Sequence, residues 1–267
     1  MNFAKLFAPF ALAFVTSWSM PTVAAHAQSV QDIIDSGKVS IGVLTSAPPL
    51  SSTDAEGKDV GYHMDVALKI AEYLGVKAEI IPVTNTSRIA ALESKKIDIQ
   101  VAQSSATPER AKAVMFTIPY GVFKQSVVSL AGTELSGPED LKGKRVSVPK
   151  GGVQDLALQR MNIEGLEIVR FDEEPGAVQA LLSGQVDAVA IPDLVALNVI
   201  KKFPDQKVEI KFPLFTQSYS IGVRKDAFEL HQWLNNTIAY MTLNGELNEL
   251  HKKWAGGIEL PQTLPTF

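Results

Sequence analysis

Hydrophobic positions along the chain switch repeatedly between a period of two and a period near 3.6. Val39-Ser40-Ile41-Gly42-Val43 alternates as a strand does, whereas Val66, Ile70, Tyr73 and Leu74 recur at helical spacing, with Gly75 placed to close that helix. Further strands are expected over 78–83, 97–102, 122–130, 145–148, 167–171, 186–191 and 219–223, most of them separated by helical stretches. Strand and helix in alternation is the rhythm of crossover units on largely parallel sheets, so the expected class is α/β.

An internal echo divides the chain. Ala91-Leu92-Glu93-Ser94-Lys95-Lys96-Ile97-Asp98-Ile99 matches Ala180-Leu181-Leu182-Ser183-Gly184-Gln185-Val186-Asp187-Ala188 in Ala, Leu, Ser and Asp, each stretch being a helix end, a turn and a strand start. Two lobes of similar construction are therefore expected. Ser136-Gly137-Pro138-Glu139 and Asp226-Ala227-Phe228-Glu229 have capping-box spacing and open helices after the strand-like runs at 122–130 and 219–223. If both runs cross between the lobes, lobe 1 is discontinuous, residues 28–123 and 220–267, and lobe 2 is 124–219 with hinge crossings at its ends. A cleft bridged by two strands commonly holds a ligand.

Composition narrows the possibilities. Residues 1–27 carry Lys5 as their one charge, an apolar run from Leu6 to Val15 and the small-x-small tripeptide Ala25-His26-Ala27, the layout of a signal peptide cut after Ala27. The expected location is periplasmic. Twenty-five Lys and Arg against 29 Asp and Glu leave no basic excess for a phosphate backbone, so nucleic acid is not an expected partner. With no cysteine, disulfide scaffolds, thiol catalysis and Cys-ligated metals are excluded.

Signatures of nucleophilic, metal and phosphate chemistry are missing, and no cofactor or metal is expected. His63 and His251 read as polar helix positions, and Asp172-Glu173-Glu174 before Pro175 as a solvated helix N-terminus. The informative stretch is Gln103-Ser104-Ser105-Ala106-Thr107-Pro108-Glu109-Arg110. Thr107 and Pro108 suit the N-cap and first position of a helix, which puts Arg110 in the first turn, where its charge opposes the macrodipole. Either Arg110 meets an anion beside Ser105 and the free amides of that turn, or it pairs with Glu109 or lies in solvent. Asp193, after Ile191-Pro192, is either a helix-start acid or the partner of a cation across a cleft. The turn Lys150-Gly151-Gly152-Val153-Gln154 can offer amides to a carboxylate.

Taken in order, these stretches resemble the periplasmic solute-binding proteins for polar amino acids, family 3, the receptors of ABC importers. The resemblance covers roughly residues 37–256 and rests on Gly57-Lys58-Asp59-Val60-Gly61-Tyr62-His63-Met64-Asp65, Thr107-Pro108-Glu109-Arg110, Phe116-Thr117-Ile118-Pro119-Tyr120, Asp140-Leu141-Lys142-Gly143-Lys144-Arg145-Val146, the second echo and Leu250-His251-Lys252-Lys253-Trp254. It implies the two-lobe periplasmic-binding-protein architecture: two mainly parallel sheets joined by a two-strand hinge. It further implies that Arg110 binds a ligand α-carboxylate with help from Ser105, that Asp193 takes the ammonium, and that Gly151, Gly152 and Val153 donate amides.

Tyr62, within the first of these landmarks, joins the set of ligand-binding candidates. Two departures bear on the ligand: Leu50 and Asn85 stand near positions where aromatic side chains are frequent in the family, so stacking on a guanidinium or imidazole loses support. Arg88 resembles an Asn-Arg loop of members that bind acidic amino acids, or is a surface helix residue; Arg88, Gln103 and Ser46 can offer polar contacts to the distal end of a ligand.

The resemblance thus implies a monomeric receptor, not an enzyme, that closes on a small zwitterion, a polar amino acid or an amino-acid conjugate, and delivers it to an ABC permease. The alternative is a periplasmic enzyme on the same fold, such as one similar to cyclohexadienyl dehydratase. That alternative requires an acid or base of tuned pKa facing the cleft.

Overall fold

A computed structural model describes residues 29–261; the leader expected at 1–27 lies outside the described residues. In chain order the strands are β1 (Lys38–Val43), β2 (Ser46–Ala47), β3 (Ser51–Thr53), β4 (Asp59–Val60), β5 (Lys77–Pro82), β6 (Ile99–Gln100), β7 (Val114–Leu130), β8 (Arg145–Pro149), β9 (Glu167–Phe171), β10 (Ala188–Pro192) and β11 (Val208–Arg224). The helices are α1 (Val30–Ser36), α2 (Tyr62–Leu74), α3 (Arg88–Glu93), α4 (Pro108–Ala111), α5 (Val153–Met161), α6 (Glu174–Leu182), α7 (Asp193–Lys202), α8 (Phe228–Leu243) and α9 (Glu246–Trp254).

Strands β5, β1 and β6 pair in parallel at one end of the molecule, and β10, β8 and β9 do so at the other. The 17-residue strands β7 and β11 run antiparallel through both blocks, so hydrogen bonding continues across eight strands in the order β5-β1-β6-β11-β7-β10-β8-β9. Strand β11 meets β6 at Val223 and Gly222, while β7 meets β10 at Gln125 to Val128. Between these points the β7–β11 register shifts at Tyr219/Ser220 and again at Ser220/Gly222. Irregular pairing there lets Pro119, which has no N–H to donate, stand inside a strand. Strand β7 therefore begins at Val114 rather than near 122.

The sequence echo is a structural one. In the first copy the Asp98 carboxylate accepts the Ser40 N–H at 2.8 Å; in the second, Asp187 accepts the Arg145 N–H at 2.7 Å. Each aspartate thereby pins the start of the adjacent parallel strand, and Lys95 (φ 60°) makes the turn that Gly184 (φ 72°) makes in the other copy.

Neither predicted capping box forms. Asp140, not Glu139, accepts the Ser136 and Gly137 amides, because the segment closes as a single 3-10 turn, Pro138–Leu141. Helix α8 starts beyond Asp226, which turns to Arg224 at 3.3 Å instead. The two histidines expected at polar helix positions do lie on helices, but not on their solvent faces. His63 is fully buried and His251 nearly so, both within an aromatic cluster of Tyr62, Tyr120, Phe123 and Tyr219. Helical periodicity places a residue on the inner face but does not say how completely the other elements cover it.

Candidate functional site

The chain leaves β6 through Gln103, whose left-handed φ of 52° turns it toward α4. As expected, Thr107 caps α4 by accepting the Arg110 N–H, and Pro108 holds its first position. Arg110 is half-buried and takes neither expected local partner: among the described residues no carboxylate pairs with it. Its guanidinium donates to the Ser105 carbonyl at 3.4 Å and, across the gap between the two parallel blocks, to the Gly151 carbonyl at 3.1 Å. Burial lowers its pKa, as desolvation of a cation must. Gly151 is needed on two counts, φ of 71° and the Thr86 methyl only 3.1 Å from where a Cβ would stand.

The two parallel blocks approach each other closely here. Between them a cavity of about 10 Å³ remains, lined by Asn85, Arg88, Gln103 and Tyr219 together with Gly152, Gln154 and Glu174 from the other side. Arg88 is not a surface residue: at 1% exposure it donates to the Ala102 and Gln103 carbonyls, and its Nε has no partner. Burial first, then repulsion from Arg110, brings its pKa down to about 9. Gln103 Nε2 and Gln217 Oε1 are likewise buried and unpartnered. Polar atoms from both sides thus converge, unsatisfied, on one point.

The solvated reading of the acidic run is corrected at its third residue. Glu174 is 2% exposed, its Oε2 has no partner, and burial pushes its carboxyl up to about 7 despite Arg88 nearby. Local pattern could not reveal this, because the elements that meet α6 here, β2 among them, are distant in sequence.

Other expected residues sit elsewhere. The Gly151 amide donates to Asp155 at 3.2 Å and that of Gly152 to the Pro149 carbonyl at 3.2 Å, so of the three expected donors only Val153, at the first position of α5, has no intrahelical acceptor. The Ser105 hydroxyl donates to the Ser218 carbonyl at 2.7 Å. Asp193 begins α7 with a buried, unpartnered Oδ1, but it is not among the residues lining the cleft cavity; Glu174 is. Tyr62 lies behind the cleft, its hydroxyl donating to the Tyr120 carbonyl. Leu50 is sealed in the core, whereas Asn85 does reach the cleft. Ser46 lines a separate cavity of about 250 Å³, on whose wall Glu174 also stands.

Comparison with known proteins agrees with this architecture. Residues 39–257 match the family described as bacterial extracellular solute-binding proteins, family 3. The chain is similar to the L-cystine-binding protein TcyJ of Escherichia coli (strain K12), at 30% identity over 248 residues, 92% of each chain. It is similar to the arginine-binding extracellular protein ArtP of Bacillus subtilis (strain 168), at 31% identity over 84% of this chain and 89% of that one. Among solved structures, the ancestral amino acid-binding protein AncCDT-1, a precursor of cyclohexadienyl dehydratase, superposes with a TM-score of 0.79 at 29% identity, covering 84% of this chain and 98% of that one.

Proposed function

The chain belongs to the bacterial extracellular solute-binding proteins of family 3, and from that premise we propose a receptor that captures a small zwitterion, a polar amino acid or amino-acid conjugate, and passes it to an ABC permease. In this reading lobe 1 comprises 28–123 and 220–267, lobe 2 comprises 124–219, and the irregular crossing of β7 and β11 is the hinge. The observation that carries the proposal is the reach of Arg110 across the cleft to Gly151, beside the unsatisfied polar atoms of Arg88, Gln103 and Gln217. A guanidinium that grips a carbonyl in the closed form has the geometry to take a carboxylate oxygen in its place, with a stronger, charge-assisted bond. In this reading the Val153 amide and Ser105, whose carbonyl Arg110 already contacts, help to hold the carboxylate. Cystine and arginine, for which two of the relatives are named, share an α-amino-acid head and differ beyond it, in keeping with recognition of one head by Arg110 and of the rest by other residues.

One observation favours a second reading, an enzyme of the dehydratase type. It requires a cleft acid of tuned pKa, and Glu174, held at about 7, is such a group. A thermal-shift screen of amino acids, amino-acid conjugates and prephenate-like acids, followed by analysis of the recovered ligand, separates the two. A receptor is stabilised by roughly 2.7 kcal/mol at 100 times the dissociation constant and returns its ligand unaltered. A chemically altered ligand would establish the enzyme; no stabilisation by any zwitterion would defeat the receptor reading.

A further inference from the structure

Glu174 is the residue for which the receptor reading as stated has no use. Its Oε2 is buried and without a partner, and Arg88, the cation that influences it, already spends its Nη1 on the Ala102 and Gln103 carbonyls. A buried carboxylate is costly unless a cation with donors meets it. Glu174 stands on the wall shared by the closed cleft and the 250 Å³ side cavity between β2 and helices α6 and α7. That cavity is lined mainly by apolar side chains of α6 and α7, with the polar side chains of Ser46, Gln179, Asn198 and Lys202 among them. An acid and a base on the wall of one apolar cavity complement an ammonium and a carboxylate carried on one apolar linker.

We propose that the side cavity is a second subsite for an elongated, two-headed ligand, two amino-acid units joined through their side chains, with Glu174 receiving the distal ammonium and Lys202 the distal carboxylate. This rests on the receptor reading, in which Arg110 takes the proximal carboxylate. A basic amino acid would satisfy Glu174 but leave Lys202 and the amide groups unused, which makes it the competitor to test.

Calorimetry with L-cystine and L,L-cystathionine as two-headed probes, S-methyl-L-cysteine and L-glutamine as one-headed neutral probes and L-lysine as the basic probe decides the matter. The wild type is expected to bind a two-headed probe at least about tenfold tighter than every one-headed probe, a difference of about 1.4 kcal/mol. Glu174→Gln should lower the ratio of two-headed to one-headed affinity at least about tenfold, and Asn198→Phe, which fills the side cavity without touching Glu174, should lower it too. Lysine binding tightest, or a ratio unchanged in both variants, would overturn the proposal while leaving the receptor intact. Failure of every probe to bind would remove the receptor reading and this subsite with it.

Discussion

Replacing Glu174 by glutamine should make the protein less sensitive to pH, and the size of the effect follows from burial. The folded carboxyl titrates near 7 rather than at its ordinary 4.5, chiefly because it is desolvated; its own backbone amide and Arg88 oppose that shift, and Glu173 adds to it. Between these two values the folded state holds a proton that the unfolded state has released, so stability falls as pH rises. The contribution is fully present below about 4.5 and lost as pH passes 7. At about 1.4 kcal/mol per pH unit, the wild type should lose roughly 2 to 3 kcal/mol relative to Glu174→Gln between about pH 5 and pH 7.5. Arg88 loses a neighbouring charge in the variant. The attraction of Arg88 for the charged carboxylate is already contained in the folded value of about 7, and Arg88, brought down only to about 9, stays charged throughout this window. Urea unfolding of both proteins at several pH values measures the difference directly, and contributions shared by both cancel. A difference that does not vary with pH would refute the claim that Glu174 is charged at a cost in the closed form.

Three further outcomes are expected. Arg110→Ala should weaken binding of a zwitterionic ligand by at least roughly thirtyfold, read by calorimetry, with the circular dichroism spectrum unchanged; unaltered affinity would assign the Arg110 contact to Gly151 a purely structural role. His63 is held neutral by burial first and by Arg88 second, down to about 3 against an ordinary 6.5, so its stabilisation is present above about 6.5 and lost as pH falls toward 3. At about pH 4.5 that loss is roughly 3 kcal/mol, and His63→Leu should lack it in urea titrations, though at neutral pH it pays for leaving the Tyr120 hydroxyl unpaired. Gly61→Ala should destabilise by more than about 2 kcal/mol, since at φ 129° its Cβ would stand 2.5 Å from the Leu50 carbonyl oxygen and 2.6 Å from the Ser51 Cα; an unchanged urea midpoint would contradict this.

The features legible in the sequence are those set by neighbours within about ten residues. Gly75 closes α2 at φ 70° and Thr107 caps α4; the two aspartates of the echo are legible as a repeat, but the strands they pin, through Ser40 and Arg145, lie far away in sequence. Strand 97–102 shows the limit of that reading. Only Ile99–Gln100 is regular strand, although Asp98 and Val101 still donate to β1 at Ser40 and Gly42, so the ladder is longer than the pairing on both sides of it. Features decided by the approach of distant segments were not legible. By sequence Arg88 reads as a carboxylate ligand or a surface helix residue, Glu174 as solvated and Gly151 and Gly152 as amide donors; in the fold Arg88 and Glu174 are buried, and Asp155 and the Pro149 carbonyl hold those amides.

Those illegible residues share a location, the surfaces that meet when the lobes close, and this bears on how a ligand would act. Arg88, Gln103, Gln217 and Glu174 are buried here with at least one polar atom of each without a partner, and in the proposed receptor lobe closure is what would take them out of water. Each such atom costs about 1 to 3 kcal/mol, which the single Arg110–Gly151 hydrogen bond offsets only in small part. A molecule that satisfies several of them would favour the closed form by the sum of those relieved costs, whereas one that reaches only Arg110 would gain the difference between a charge-assisted bond and the carbonyl bond already made, and leave the other costs in place. A ligand shifts the open–closed balance only by its differential affinity for the two forms, and here that difference is concentrated in the orphaned atoms rather than in the apolar lining. Selectivity in this cleft therefore belongs to hydrogen-bonding pattern before shape: a ligand of the right size with apolar groups facing Gln103, Gln217 and Glu174 would enter the open form and fail to close it.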